Sequence, residues 1–301
     1  MKQLISGAGV WVTVALALFA LPCAAQVCLV RDGAACAVVA HADAPTDTAR
    51  YAVEELVRHM EWATGVALEI VPESQASRAP HTRVYVGETE AARRQGIDVA
   101  RLPREAYVMR SVGNDLFIVG REDDREPLRQ NNSNVGTLFG VYEFLERFLG
   151  VRWLWPGELG TYVPKTDTVA LWAVNETHAP KLSFRTLVWS RIRSIAVGGN
   201  TLSEEDARLG FSPEGAQRYG EAVWVLLRRH RLGGSDAEPP TGHAFSGWWE
   251  RYGEAHPEWF ALRRDGTRGH PDPDYHNVPM CVTNAELQAF TNCLRVLLGQ
   301  P

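Results

Sequence analysis

Several side chains in this 301-residue sequence have the type and setting to do chemistry. Arg185 sits inside the apolar run 182–190 (LSFRTLVWS), where an unpaired charge is costly. A guanidinium there either closes a salt bridge to a neighbouring strand, the weightier reading because buried Arg is usually paired, or contacts a ligand. Trp189, Trp248, Trp249 and Trp259 belong to a set of ten tryptophans, many for this length. Such rings can lie against the apolar faces of sugars or fill a core. Trp259 reads as core, whereas Trp189 and Trp248 suit either use. His243, in Gly242-His243-Ala244-Phe245, follows a loop rich in Pro and Gly, where it could touch a ligand or be satisfied by the backbone. His270, Asp272, Asp274 and His276 alternate in HPDPDYH. Alternate ligands on an extended loop could hold a divalent metal, but the two prolines make an exposed loop the simpler account. No metal or cofactor is expected.

Cleaving a glycosidic bond needs two carboxyl groups, about 5–5.5 Å apart in retaining enzymes and about 6.5–9.5 Å apart in inverting ones. The acids in view are bland. Glu143 and Glu146 fall on the polar face of a helix, and Glu204, Glu205 and Asp206 read as a solvated helix start. No catalytic pair is assigned. There is no GxSxG elbow, P-loop or dinucleotide fingerprint.

The elements that must position these groups centre on 136–158, GTLFGVYEFLERFLGVRWLWPGE. Leu138, Val141, Tyr142, Leu145, Phe148 and Leu149 recur at helical spacing and make one buried face. Gly150 suits the helix end, and 151–155 reads as an aromatic strand of the sheet on which the helix packs. Upstream, 27–30 and 37–40 read as strands around Asp32-Gly33. A helix opens at Pro45-Thr46-Asp47-Thr48 and stops at Gly65. Strands follow at 66–71 and 82–87, with a short helix from Glu88 to Gly96. Glu105–Ser111 and Asp115–Gly120 form a hairpin through Gly113-Asn114. The expectation is a mixed-sheet α/β domain over 26–175, with 174–181 as a linker. Downstream, Ser212-Pro213-Glu214 starts a helix, and Thr283-Asn284-Ala285-Glu286 is a capping-box pattern opening another. Cys293 is placed on that helix's apolar face as a buried thiol.

The central stretch, together with GHAFSGWW, AHPEWFAL and PMCVTNAEL downstream, resembles the bacterial family called domain of unknown function 4838, whose members look like relatives of α-glucuronidases and β-hexosaminidases. The resemblance implies a non-catalytic N-terminal domain like hexosaminidase domain 2. It also implies that 176–301 begins a (β/α)₈ barrel. A whole barrel takes about 250 residues, so this one would be incomplete, with its catalytic acids on later strands. Arg185 in FRTL resembles a sugar-binding Arg on the first barrel strand of hexosaminidases. Ala244 stands where the family usually has Thr, which leaves His243 intact. His256-Pro257-Glu258 resembles a family signature. Carbohydrate is the implied partner, and the rival reading is a non-enzymatic carbohydrate-binding or cell-surface module.

Composition fits a globular protein. Hydrophobic residues make up 45% and charged residues 22% of the chain, enough for a proper core. Residues 1–25 read as a signal peptide, with Lys2, the apolar run from Val10 to Leu21, and Cys23-Ala24-Ala25 before Gln26. Its removal takes one Lys and no acid, leaving 30 basic against 36 acidic side chains. No basic cluster could track a phosphate backbone, so nucleic acid is not an expected partner. No further run could span a bilayer. Periplasmic or extracellular localisation follows, where Cys28 and Cys36 could bridge a short hairpin.

Overall fold

A computed structural model describes residues 27–76, 82–123, 125–128, 133–185, 204–210, 212–233, 245–270 and 278–297. The expected signal segment lies outside them. So do Trp189, His243, Asp272, Asp274, His276 and most of the apolar run 182–190. The chain divides into two compact units, Met1–Asp236 and Ala237–Pro301.

In the first unit, β1 (Val27–Arg31) and β2 (Ala34–Ala35) form the turn at Asp32-Gly33. β3 (Ala37–His41) then leaves for the main sheet. α1 (Asp47–Thr64) starts where Thr46 Oγ1 accepts the Ala49 amide at 3.0 Å and ends at Gly65, φ 75°. β4 (Glu69–Pro72), α2 (Glu73–Ala76), β5 (Thr82–Val86) and α3 (Glu90–Arg94) follow. The hairpin of β6 (Tyr107–Val112) and β7 (Asp115–Gly120) turns through Gly113, φ 59°. Next come α4 (Gly136–Phe148), β8 (Arg152–Trp153), β9 (Thr161–Tyr162), β10 (Val169–Leu171) and β11 (Asn175–His178).

The main sheet runs β11-β6-β7-β5-β3-β4. β7, β5, β3 and β4 are parallel, and β6 and β11 are antiparallel to their neighbours. Side-chain alternation splits the strands between two cores. Val39, Val84, Val86, Leu116 and Ile118 face α1 and α4. Val38, Ala40, Tyr85, Phe117 and Val119 face α2 and α3. Both sheet faces are therefore covered, which is why these strands read as continuous apolar runs. α4 reaches the sheet through glycine. A Cβ on Gly120 would stand 2.2 Å from the Gly136 carbonyl carbon, and one on Gly140 2.8 Å from Ile118 Cγ2.

Several expectations change. The 174–181 segment contains an edge strand, since β11 pairs with β6 from Asn175↔Arg110 to His178↔Tyr107. The aromatic strand joins a two-stranded ribbon with β9 outside the main sheet, because buried Trp153 anchors it against His59 and Tyr142. Cys293 is exposed, beside the stripe defined by Leu287 and Phe290. Cys28 and Cys36 are free thiols.

The first unit also holds α5 (Glu204–Arg208) and α6 (Pro213–Arg229), the latter capped by Ser212. α6 belongs to the α/β body: Leu226 joins the main core, and Arg229 donates to Glu55 of α1 at 2.9 Å. The second unit has α7 (Trp248–Tyr252) and α8 (Ala285–Leu297). Asn284, not Thr283, caps α8 by accepting the Leu287 amide at 2.8 Å. Beyond Leu182 the described residues supply helices and two isolated bridges, Arg185↔Gly233 and Phe260↔Met280. None of the helices among the described residues is long and apolar enough to cross a membrane.

Candidate functional site

Arg185 lies in a dense ionic seam of the first unit. It bridges Gly233 through both backbone groups, at 2.7 and 2.9 Å. Its Nη2 meets Glu105 at 2.6 Å, Nε donates to the Arg231 carbonyl at 3.0 Å, and Nη1 to the Leu182 carbonyl at 2.6 Å. This is the salt-bridge pairing weighed from the sequence against a ligand role. Glu105 is 1% exposed. Burial pushes its carboxyl up, and the Arg185 hydrogen bond pulls it back. Such a raised carboxyl could give up a proton; in this seam its Oε2 is held by Arg185. Glu143 and Glu146 both bind the Arg231 guanidinium, so the polar face of α4 is an attachment surface.

Trp248 lies in the second unit, so the structure does not gather it with Arg185 into one described site. Rings from three elements meet there. Trp248 is half-buried and makes edge contacts with Phe245 (4.9 Å, 75°), Tyr252 (5.2 Å, 65°) and Phe290 (5.9 Å, 68°). Trp249 is gripped by glycines, since a Cβ on Gly253 or Gly269 would fall within 2.7 Å of its ring. Trp259 is buried and stacks on His256 at 4.1 Å, the core role expected of it. His256, Glu258 and Glu286 bring one ligand atom each within 4.8 Å of one another. That surface trio has the donor set for a divalent cation.

A further feature lies outside the residues that the sequence singles out. A groove of about 330 Å³ in the first unit is lined by Arg58, Trp62, Glu158, Thr161 and Arg229. His59 fixes Trp62 by an edge contact at 5.1 Å. An aromatic wall beside a carboxylate and guanidinium groups suits a hydroxylated ligand. The only signal was the polar tail of WLWPGELGTY, which does not reveal its approach to Trp62.

Residues 155–296 match the model of a family described as domain of unknown function (DUF4838). The match takes in the three downstream motifs but begins at Trp155, leaving most of 136–158 outside it. No curated protein matches the chain. Among solved structures, a family GH115 4-O-methyl-α-glucuronidase with specificity for decorated arabinogalactans is 18% identical with a TM-score of 0.42, over 65% of this chain and 24% of that one. The chitobiase of Flavobacterium johnsoniae is 12% identical with a TM-score of 0.34, over 89% of this chain and 40% of that one. The chain thus spans about a quarter and two-fifths of those proteins' lengths.

Proposed function

We propose that this chain recognises carbohydrate as part of an exported, glycoside-hydrolase-like protein, and that residues 26–301 bind sugar without turning it over. On this reading residues 176–301 include the opening of a (β/α)₈ barrel, whose catalytic carboxylates belong to later strands. The observation that carries it is Trp248. A half-buried indole held by three edge contacts is pre-oriented, so little conformational entropy is lost when a sugar ring lies on it. It sits within the family-matched region, in a motif whose resemblance implies carbohydrate chemistry. Trp189 and His243 are proposed as further carbohydrate contacts, and Arg185, fixed by its backbone bridge to Gly233, as one in the first unit.

The test is glycan-array binding followed by calorimetry of residues 26–301 with the best ligand. Trp248→Ala should weaken binding at least about tenfold, roughly 1.4 kcal/mol, with the far-ultraviolet circular dichroism unchanged. A silent array would sink the reading. Hydrolysis of chromogenic glucuronides or hexosaminides by this chain would overturn its non-catalytic part.

A further inference from the structure

The strand order of the main sheet creates a crevice independent of the aromatic cluster. From β3 the chain crosses through α1 to β4 on one side, then returns through α2 to β5 on the other side of β3. α1 packs on one face of the sheet and α3 on the opposite face. The loops leaving the carboxyl ends of β3 and β5 therefore diverge. In open α/β sheets, that point of reversal is where ligands bind. Here it holds a cavity of about 540 Å³, within the range of small-molecule sites, about 300–1,000 Å³. Its walls come from the carboxyl ends of all four parallel strands: Asp43 and Thr46 after β3, Glu73 after β4, Glu88 after β5, and Glu122 after β7.

The lining excludes the ligand such crevices most often take. A phosphate would be drawn to the amino end of α1, but Asp43, Glu73, Glu88, Glu90, Glu122 and Asp123 face it, with Arg93 the single cation among the lining residues. Arg93 is already bound by Glu88 and Glu90. Glu73 is used by the Glu90 and Ala91 amides, one oxygen of Asp43 by the Ser74 amide, and Asp123 by Arg125. Glu122 is different. Its Oε2 accepts the Thr46 hydroxyl, while its buried Oε1 has no hydrogen-bond partner. Burial pushes this carboxyl up, against the hydroxyls of Thr137 and Thr46. A buried polar atom left unpaired costs about 1–3 kcal/mol, so its presence needs a reason. Gly87, φ 83°, keeps this wall open, because a Cβ there would meet Ala49 Cβ at 2.8 Å and Glu122 Oε1 at 3.5 Å. Among the described residues these carboxyls do not converge as the surface trio of the second unit does. They ring a space rather than a point, which suits a polyatomic cation better than a metal ion.

We propose that the β3/β5 crevice is a binding site for a small hydroxylated ammonium compound, of monosaccharide size or less. The ammonium group answers the excess negative charge, and hydroxyls donate to the carboxylate lone pairs left open around the rim.

The experiment uses one ring in three charge states: glucosamine, glucose and glucose 6-phosphate, each titrated into ¹⁵N-labelled chain 26–301. Glucosamine should shift the amides of Thr46, Ala49, Gly87 and Glu88 and approach saturation at millimolar concentration. Glucose should bind at least tenfold more weakly, and glucose 6-phosphate should leave those amides unmoved. Asp43→Asn/Glu88→Gln and Glu122→Gln should each weaken glucosamine at least fivefold in a chain that stays folded by circular dichroism. Equal response to all three sugars, preference for the phosphate, or no response in these amides would overturn the proposal. Trp248→Ala should leave this binding intact, so failure here is separable from failure of carbohydrate recognition in the second unit.

Discussion

Replacing Arg229 by Met tests whether α6 is held to the α/β body by charge. Glu55 is wholly buried on α1 and accepts from Arg229 Nε at 3.0 Å and Nη2 at 2.9 Å. Burial pulls the Arg229 guanidinium down, and the Glu55 charge and hydrogen bonds more than reverse this. The same side chain lies over the Trp153 ring at 5.4 Å. Arg229→Met keeps most of the apolar stem but strands the Glu55 carboxylate. Removing one partner of a buried pair costs about 3–5 kcal/mol. The lower end applies here, because Arg58 still reaches Glu55 at 3.1 Å from a half-exposed position. With a urea slope of roughly 2–3 kcal/mol/M, about 3 kcal/mol lowers the unfolding midpoint by about 1–1.5 M. The double variant Glu55→Leu/Arg229→Met removes both charges and should return to within about 1 kcal/mol of the parent. Urea unfolding followed by tryptophan fluorescence measures both. A single variant shifted by less than about 0.3 M, or a double variant as unstable as the single, would refute the assignment.

Glycine contacts should rank by what they touch. Gly120→Ala drives a Cβ into the α4 backbone and should cost more than about 3 kcal/mol, whereas Gly140→Ala meets movable side chains and should cost about 1–2 kcal/mol. Paired thermal melts give the order, and equal costs would contradict the packing. Burial lowers the His59 pKa, and Trp153 Nε1 donates to its Nε2 at 3.2 Å. That contribution is present above about pH 6.5 and is lost as pH falls below it. His59→Gln should flatten the stability profile in this window, measured by urea midpoints at successive pH values. The hydrogen bonds from Arg147 and His178 lower the Glu176 pKa to about 2. Its contribution is present above about pH 4.5 and lost as pH falls through about 2. Glu176→Gln should be less acid-sensitive over that interval, and a circular-dichroism acid titration unchanged from the parent would argue against the pairing.

The elements legible in the sequence were those governed by local chemistry. Thr46 and Gly65 bracket α1 because a hydroxyl cap and a left-handed glycine act within one turn. Gly113-Asn114 marked its hairpin for the same reason. β11 was hidden because an edge strand needs only backbone partners from β6, and Asn-Glu-Thr-His offers no apolar alternation. Its side-chain ties, Asn175 to Arg110 and Glu176 to Arg147, come from far along the chain. Arg185 could be singled out as a charge in an apolar run, yet Glu105, eighty residues earlier, could not be named without the fold. The β3/β5 crevice was beyond reach for a different reason: it depends on strand order, which no residue spacing records.

The edge strand has a practical bearing on how this protein is cut. An expression piece ending at residue 175 would leave β6 with unpaired amides and carbonyls along one side, an open template for pairing with other chains. The smallest soluble piece should run from about residue 26 past Gly233, keeping β11 to close the sheet and α6 to neutralise Glu55.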